Sequence, residues 1–157
     1  MAKNTIKVKK YSDHIEEIVA GGTITPGMLI AEGSGGTVAA HASAGGNAIP
    51  MFALEDELQG KEISDTYVSG DQVQCWYPYR GDQVYAILKD GETIVVGDLL
   101  ESAGDGTLQK HTADSAGAVE YPLAVVAQAT EALDLSGSSG EESSGLMGNQ
   151  RLIVRIV

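Results

Sequence analysis

Three histidines and one cysteine are the residues of this chain best suited to metal or nucleophilic chemistry. They are His14, His41, His111 and Cys75. A zinc site needs about four nitrogen, sulfur or carboxylate ligands that converge on one point, whereas these residues lie far apart and at no helical or turn spacing. The pattern predicts no metal and no cofactor. It predicts histidines in surface or loop positions, and Cys75 as a small buried apolar residue.

Other residues that could do chemistry are arranged in ways that disfavour catalysis. Asp56-Glu57 and Glu141-Glu142 are neighbours in sequence, and adjacent side chains on a strand point to opposite faces of a sheet. The glycine-rich segment 33–36 lacks the Lys-Ser/Thr and the helix start of a phosphate-binding loop. The sequence contains no Gly-x-Ser-x-Gly nucleophile elbow. We therefore predict that the protein is not an enzyme and has no catalytic residues.

One short stretch, Trp76-Tyr77-Pro78-Tyr79-Arg80, concentrates aromatic residues beside an arginine. Trp, Tyr and Arg are typical of the residues that dominate protein interfaces, and exposed aromatic rings can also stack on sugars. Alternatively, the stretch is a hairpin in which Trp76 packs in the core and the tyrosine hydroxyls reach water. The sequence leaves all three interpretations open for Trp76, Tyr77, Tyr79 and Arg80.

The elements that would position these residues contain an internal repeat. Segments 24–41 and 94–111, seventy positions apart, share six identities in eighteen positions. The identical pairs include Gly27 with Gly97 and His41 with His111. When the offset between the segments is increased by two residues, Pro50 aligns with Pro122, so the predicted repeat extends over 24–54 and 94–126. Such self-similarity indicates duplicated supersecondary units that share a core, and it makes the two histidines repeat positions before they are candidate ligands.

Charge divides the chain into a basic N-terminal segment and an acidic remainder. The first ten residues carry four lysines and no acid, whereas the other 147 carry six basic and 22 acidic residues. An acidic protein lacks the basic footprint that nucleic-acid binding requires, and no apolar run is long enough to span a membrane. We expect the basic segment to be attracted to an acidic surface, either that of its own body or that of a partner.

Short runs of Val, Ile, Thr and Tyr between glycine-rich turns predict an all-β fold, a compact barrel or sandwich-like body of residues 15–157. Strands are predicted at 15–20, 72–77, 83–88, 121–129 and 151–157, with 72–77 and 83–88 antiparallel if the intervening turn joins them directly. The segment 136–144 is predicted to be an exposed loop. Residues 1–14 are predicted to form an extended arm, in which Thr5 to Lys9 alternate as a strand does. As a terminal segment, the arm is expected to stay loose until something pairs with it.

Several strings in the body resemble small structural proteins of tailed bacteriophages, the capsid decoration or cement proteins. They are Phe52-Ala53-Leu54-Glu55-Asp56-Glu57-Leu58-Gln59-Gly60-Lys61, Gly81-Asp82-Gln83-Val84-Tyr85-Ala86, Gly97-Asp98-Leu99-Leu100-Glu101 and Gly104-Asp105-Gly106-Thr107-Leu108. The resemblance extends from about residue 15 to the terminal strand. It implies a β-rich body, often a homotrimer and sometimes a dimer, with an N-terminal arm that adds a strand to the major capsid protein.

The resemblance and the charge pattern together predict a viral structural protein, made in the host cytoplasm, that binds the outside of the head and bridges capsid subunits. The expected capsid-binding residues are those of the arm, namely Lys3, Asn4, Thr5, Ile6, Lys7, Val8, Lys9 and Lys10. If the arm orders only on the shell, deletion of residues 1–10 should leave the melting temperature of the body almost unchanged. The alternative is a glycan-binding module on the virion surface, which would use Trp76, Tyr77 and Tyr79.

Overall fold

The computed structural model describes residues 4–11, 13–113, 121–138 and 150–157. Over these residues the chain forms thirteen β-strands and one short 3-10 helix, Glu57–Gln59. The strands are β1 (Lys7–Lys9), β2 (Ile15–Ala20), β3 (Ile30–Glu32), β4 (Thr37–Ala40), β5 (Phe52–Ala53), β6 (Gln72–Trp76), β7 (Gln83–Ile87), β8 (Thr93–Ile94), β9 (Leu99–Ser102), β10 (Leu108–Lys110), β11 (Val125–Ala129), β12 (Leu133–Asp134) and β13 (Arg151–Ile156). The all-β prediction is confirmed. Lys3, the Glu141-Glu142 pair and the part of the predicted loop from 139 onward lie outside the described residues.

The strands form two large sheets and one small sheet. The six-stranded sheet has the order β1-β7-β13-β11-β9-β10, the five-stranded sheet β3-β4-β2-β6-β5, and β12 pairs with β8. All of these pairings are antiparallel except that of β2 with β4. Over the described residues neither large sheet closes on itself, so the body is built from open sheets that pack together and not from a closed barrel.

The main hydrophobic core lies between the two large sheets. Phe52 and Trp76 enter it from the five-stranded sheet, and Val84, Val126 and Leu152 from the six-stranded sheet, each with no exposed surface. The alternation of β13, with Leu152 and Val154 inward and Arg155 outward, follows from the two-residue period of a strand. The predicted strand at 151–157 is found as β13, and it is paired on both sides, with β7 and with β11.

One type of turn recurs and explains the Gly-Asp pairs in the sequence. In the turns 68–71, 79–82 and 95–98, the backbone N–H of the aspartate donates to the carbonyl of the first residue, and the first residue's N–H donates to the aspartate carboxylate. The third position is a glycine with φ of 98°, 95° or 96°, a left-handed conformation that strongly favours glycine. Val73 and Val84, two residues after the aspartates of the first two turns, are both fully buried.

The predicted pairing of strands 72–77 and 83–88 is wrong. β6 lies in the five-stranded sheet and β7 in the six-stranded sheet, so the turn between them crosses from one layer to the other. Pro78 is buried and has no N–H to donate, so the ladder of β6 cannot continue through it.

The internal repeat corresponds to two hairpins of identical register. Ile30 faces Ala40 in β3–β4, and Leu100 faces Lys110 in β9–β10, seventy residues further on. The backbone N–H groups of the two repeat histidines make matching hydrogen bonds as well, His41 to the Leu29 carbonyl (3.0 Å) and His111 to the Leu99 carbonyl (2.8 Å).

The third strand of each repeat aligns differently from the sequence prediction. Gly27 N–H donates to the Ala53 carbonyl, and Gly97 N–H donates to the Ala129 carbonyl. These bonds make Ala53 and Ala129 equivalent, a shift of 76 residues where the pairing of Pro50 with Pro122 predicts 72. Pro50 therefore takes the position that the core residue Val126 holds in the second repeat. Two prolines can match by chance, whereas hydrogen bonds fix the register.

Candidate docking surface

A buried carboxylate, Asp82, fixes the end of the N-terminal segment to the turn between β6 and β7. Asp82 has no exposed surface. Its carboxylate accepts hydrogen bonds from the Tyr11 N–H (2.6 Å) and the Tyr79 N–H (2.8 Å), and its carbonyl accepts one from the Ile156 N–H (3.0 Å). The sequence shows the Gly-Asp turn at 81–82 but gives no sign that this aspartate also holds the N-terminal segment.

A second anchor lies at Ile6, which is completely buried in the main core. The Ile6 N–H donates to both carboxylate oxygens of Glu55 (3.1 and 3.3 Å), and the Ile6 carbonyl accepts from the Tyr85 N–H (2.8 Å). A Cβ on Gly27 would lie only 3.3 Å from Cδ1 of Ile6 and 2.9 Å from the Tyr85 carbonyl oxygen. A glycine at position 27 is thus required both by its positive φ and by the close approach of these groups.

These two anchors correct the prediction of a loose arm. Residues 4–11 lie along the body, and β1 is a strand of the six-stranded sheet, paired with β7. The arm is held because the side chain of Ile6 is buried in the main core. In the sequence, Ile6 is only one apolar residue of an alternating terminal strand. Deletion of residues 1–10 is therefore expected to destabilise the body.

Strand β1 forms an open edge of its sheet. β7 pairs with one side of it, and over the described residues no strand lies on the other. The opposite edge, β10, is partly covered, because the Lys89 N–H donates to the Leu108 carbonyl and the Lys110 N–H donates to the Glu92 carboxylate. An edge strand presents unpaired main-chain donors and acceptors, to which another strand can be added.

Basic and aromatic side chains surround the end of this edge, and we call them the basic pole. The basic pole consists of Lys9, Lys10, Tyr11, Tyr79, Arg80 and Arg155, all exposed. Lys9 and Arg155 both face Gln83 across neighbouring strands, which places them in one row on the sheet. Tyr11 is 72% and Tyr79 59% exposed, and the Lys9 ammonium lies 6.0 Å from the Tyr11 ring centroid, at the limit of a cation–π contact.

The pole is only partly made of the residues that the sequence singles out. Lys9 and Lys10 of the predicted arm and Tyr79 and Arg80 of the aromatic stretch meet there, whereas Lys7 lies in a cleft with Glu55, Asp56 and Glu57 of its own body. Nothing in the sequence marks Tyr11 and Arg155 as surface residues of this site, because their position depends on the register of β1 and β13 against β7.

Lys10 also forms an ion pair within the chain. Its ammonium hydrogen-bonds the Asp13 carboxylate, and this bond lowers the pKa of Asp13. Lys9, Arg80 and Arg155 are therefore the cations of the pole for which the described residues show no ion pair.

The remaining residues of the aromatic stretch lie elsewhere. Trp76 is fully buried in the main core. Its indole cannot stack on a sugar in this structure, so the largest of the three aromatic rings proposed for glycan binding is not accessible. Tyr77 is partly buried; its hydroxyl donates to Glu32 (2.6 Å) and its ring makes an edge contact with His14, with centroids 5.0 Å apart.

The repeat histidines take part in internal hydrogen bonds. His41 lies in the loop after β4, one of the two predicted kinds of position, but it is buried there, with Nδ1 2.7 Å from Ser102 Oγ and Nε2 3.1 Å from the Asn47 carbonyl oxygen. His111 Nδ1 lies 2.6 Å from the carboxylate of the buried Glu101. Within the described ranges no group of three or more His, Cys, Asp or Glu side chains is arranged to hold a metal ion, and no described helix is long and apolar enough to cross a membrane.

Comparison with known proteins assigns a fold and no family. No protein-family model and no curated protein matches the sequence. The crystal structure of the head fiber gp8.5 N base in bacteriophage phi29 is similar, with a TM-score of 0.53 over 91% of this chain and 92% of that one, at 18% sequence identity. At this identity the likeness shows a shared fold.

Proposed function

We propose that this chain is a structural protein of a phage head, which binds the outside of the assembled shell and bridges subunits of the major capsid protein. The observation that carries the proposal is the open edge of β1, ending in the basic pole on a chain of net charge −12. The shared fold with a phage head fiber base and the resemblance to decoration proteins support the choice of a phage head.

The attachment would use two kinds of contact. Main-chain hydrogen bonds between β1 and an extended segment of the capsid protein would supply affinity, as in other cases of strand addition. Lys9, Arg80 and Arg155 would then meet acidic groups on the shell, where charge complementarity fixes orientation and raises the association rate. The arm binds while it stays docked on its own body, because its free side is the outer edge of β1.

Bridging of this kind stabilises a shell without any catalytic step. A protein that binds assembled subunits better than separated ones shifts the equilibrium toward assembly, and many copies on one lattice combine modest contacts. The resemblance adds the expectation of a homotrimer, with a dimer as the alternative. Sedimentation equilibrium of the purified chain distinguishes the two.

The charge contribution is tested with a matched pair of variants on heads that lack the protein. Arg80→Glu reverses a charge of the basic pole, and Lys61→Glu reverses an exposed charge away from it. Both change the net charge equally, so general repulsion is controlled. We expect Arg80→Glu to weaken co-sedimentation with heads by about tenfold and Lys61→Glu to have little effect, and wild-type binding to weaken as salt increases. Equal effects of the two variants would contradict a role for the pole.

The strand-addition contribution is tested by hydrogen–deuterium exchange of the wild-type protein, free and bound to heads. The proposal predicts new protection of backbone amides in 7–9 on binding. Protection that appears only on other strands would show that the protein attaches by another edge.

A further inference from the structure

A groove opens beside β3, at the opposite sheet from the basic pole, where the first repeat fails to complete its ladder. The groove has a volume of about 360 Å³, within the range of ligand-binding clefts. One wall is β3 and the other is the segment 47–51. The two walls join at one end, where the Ile30 N–H donates to the Met51 carbonyl (2.9 Å).

The second repeat shows what is missing here. There β9 and β11 stay paired past a register shift at Val126, from Leu100 with Ala127 to Glu101 with Val125. With Ala53 equivalent to Ala129, the counterpart of the second pair is Ala31 with Ile49. This pair is not formed, since β5 begins only at Phe52 and Ile49 is 71% exposed.

A proline marks the place where the ladder stops. Pro50 stands where the second repeat has Val126, a buried residue of β11 at which the register against β9 shifts. Proline has no N–H and cannot donate to a ladder. The chain runs beside β3 only from Met51 onward, and before Met51 the two walls part.

Backbone groups of β3 face the resulting gap. The Gly33 N–H donates to the Thr37 carbonyl within the hairpin, and in an antiparallel pair the residues that bond across the ladder alternate with those that face away. Glu32 therefore turns its N–H and carbonyl away from β4, on the same side as Ile30. In the sheet order β3 is a terminal strand. On this side the described residues show a backbone partner for Ile30, which bonds Met51, but no paired strand at Glu32.

The side chains of the groove define what would fit. Apolar groups form its lining, from Ile30, Ala48 and Met51, with Ile49 at the rim. Tyr77 stands beside the Glu32 carboxylate, and burial together with its bonded neighbour Glu32 raises the pKa of Tyr77. The groove thus combines an apolar lining, a negative charge and an unpaired strand edge.

We propose that this groove receives an extended segment of another protein, in which an apolar residue is flanked by lysine or arginine. The segment adds a strand to β3 at Glu32, places its apolar side chain against Ile30 and Met51, and sets its cation next to the Glu32 carboxylate. The Glu32 charge selects a basic segment over an acidic one. This inference does not depend on the head-binding proposal, which concerns the other sheet.

The test uses a short, fluorescein-labelled peptide of alternating valine and lysine, with a valine–glutamate peptide as its control. Binding to the full chain is followed by fluorescence anisotropy and mapped by backbone NMR shifts. Three variants separate the contributions. Glu32→Gln removes the charge and keeps the N–H, Glu32→Pro also removes the outward N–H while sparing the hairpin bonds, and Glu57→Gln changes an exposed glutamate outside the groove.

We expect the lysine peptide to bind saturably with shifts at 30–32 and 47–51, and the glutamate peptide to bind more weakly. Glu32→Gln should weaken binding about fivefold, Glu32→Pro should abolish it, and Glu57→Gln should leave it unchanged. Unchanged Trp76 fluorescence would show that each variant is folded. The proposal is overturned by absence of binding, by equal affinity for both peptides, or by shifts confined to β1. Groove shifts that depend on protein concentration without peptide would identify a second copy as the occupant, and would overturn it too.

Discussion

Truncation of one side chain, Ile6→Ala, gives a sharp test of whether the N-terminal segment belongs to the folded body. Ile6 has no exposed surface and lies in the same core cluster as strands of both large sheets. Replacement of a buried isoleucine by alanine costs about 2–5 kcal/mol. Since β1 is an edge strand that can relax around the cavity, we expect the lower half of this range, about 2–3 kcal/mol. In a chain of this size that corresponds to a fall in melting temperature of roughly 5–10 °C.

The assay is equilibrium unfolding in urea, followed by the fluorescence of Trp76, the one tryptophan of the chain and a buried one. Val8→Ala is the matched control, because Val8 lies two residues after Ile6, in β1, and is only half-buried. We expect the control to cost less than about 1 kcal/mol. If Ile6→Ala and Val8→Ala are both within about 0.5 kcal/mol of the wild type, the size expected of surface substitutions, residues 4–11 are not part of the cooperative unit and the docked arm is refuted.

Three further outcomes follow from the described geometry. Asp82→Asn weakens two buried charge-assisted hydrogen bonds and should cost about 1.5–3 kcal/mol in urea unfolding, whereas the same change at the exposed Asp71 should cost less than half as much. Gly27→Ala and Gly97→Ala each place a side chain on a residue with positive φ, which should cost about 1–2 kcal/mol. At position 27 the added Cβ would also lie 2.9 Å from a backbone oxygen, whereas at position 97 no atom lies within 4 Å of it. Gly27→Ala should therefore have the larger effect, and equal losses would contradict the close approach. Burial raises the pKa of Cys75 from 9.0 to about 12, so stability should fall as pH rises above 9. At pH 10 ionisation of this thiol in the unfolded state lowers the free energy of unfolding by about 1.4 kcal/mol. Between pH 7 and pH 10, the free energy of unfolding of Cys75→Ala should therefore fall by about 1.4 kcal/mol less than that of the wild type.

Local patterns predict those parts of the fold that depend on neighbouring residues. The strand 15–20 follows from its apolar spacing before a double glycine. The turn at 25–28 follows from Pro26-Gly27, and Gly27 indeed has a φ of 92° with the Met28 N–H bonded to the Thr25 carbonyl. The inward valines after the Gly-Asp turns at 70–71 and 81–82 follow from the period of a strand. In these cases a few adjacent residues determine the backbone.

Features that depend on distant partners are not visible in the sequence. Nothing near Ile6 shows that Glu55 and Tyr85 hold it, because those residues are 49 and 79 positions away. Pro78 between two strands reads as a hairpin turn, although it carries the chain to another sheet. The basic pole is assembled from three separate segments. Three of its four cations and one of its two aromatic rings are residues that the sequence singles out, but nothing in the sequence shows that they meet.

The groove is a third case, in which the sequence contains the residue that marks the feature, Pro50, but not the strand register needed to interpret it. Pro50 is conspicuous in the alignment of the repeats, where it aligns with Pro122. Only the hydrogen bonds of Ala53 and Ala129 show that Pro50 corresponds to Val126, at the point where the first repeat loses the pairing that the second keeps. Internal comparison of duplicated units thus becomes informative once the register of each is known.

An electron cryo-microscopy map of heads reconstituted with this protein would show directly whether it bridges the shell. We expect density for the protein on the outer surface at the junctions between capsid subunits, with a capsid strand along β1 and the basic pole against acidic residues. Heads that carry no such density at saturating protein, or density in which β1 faces solvent, would contradict this proposal.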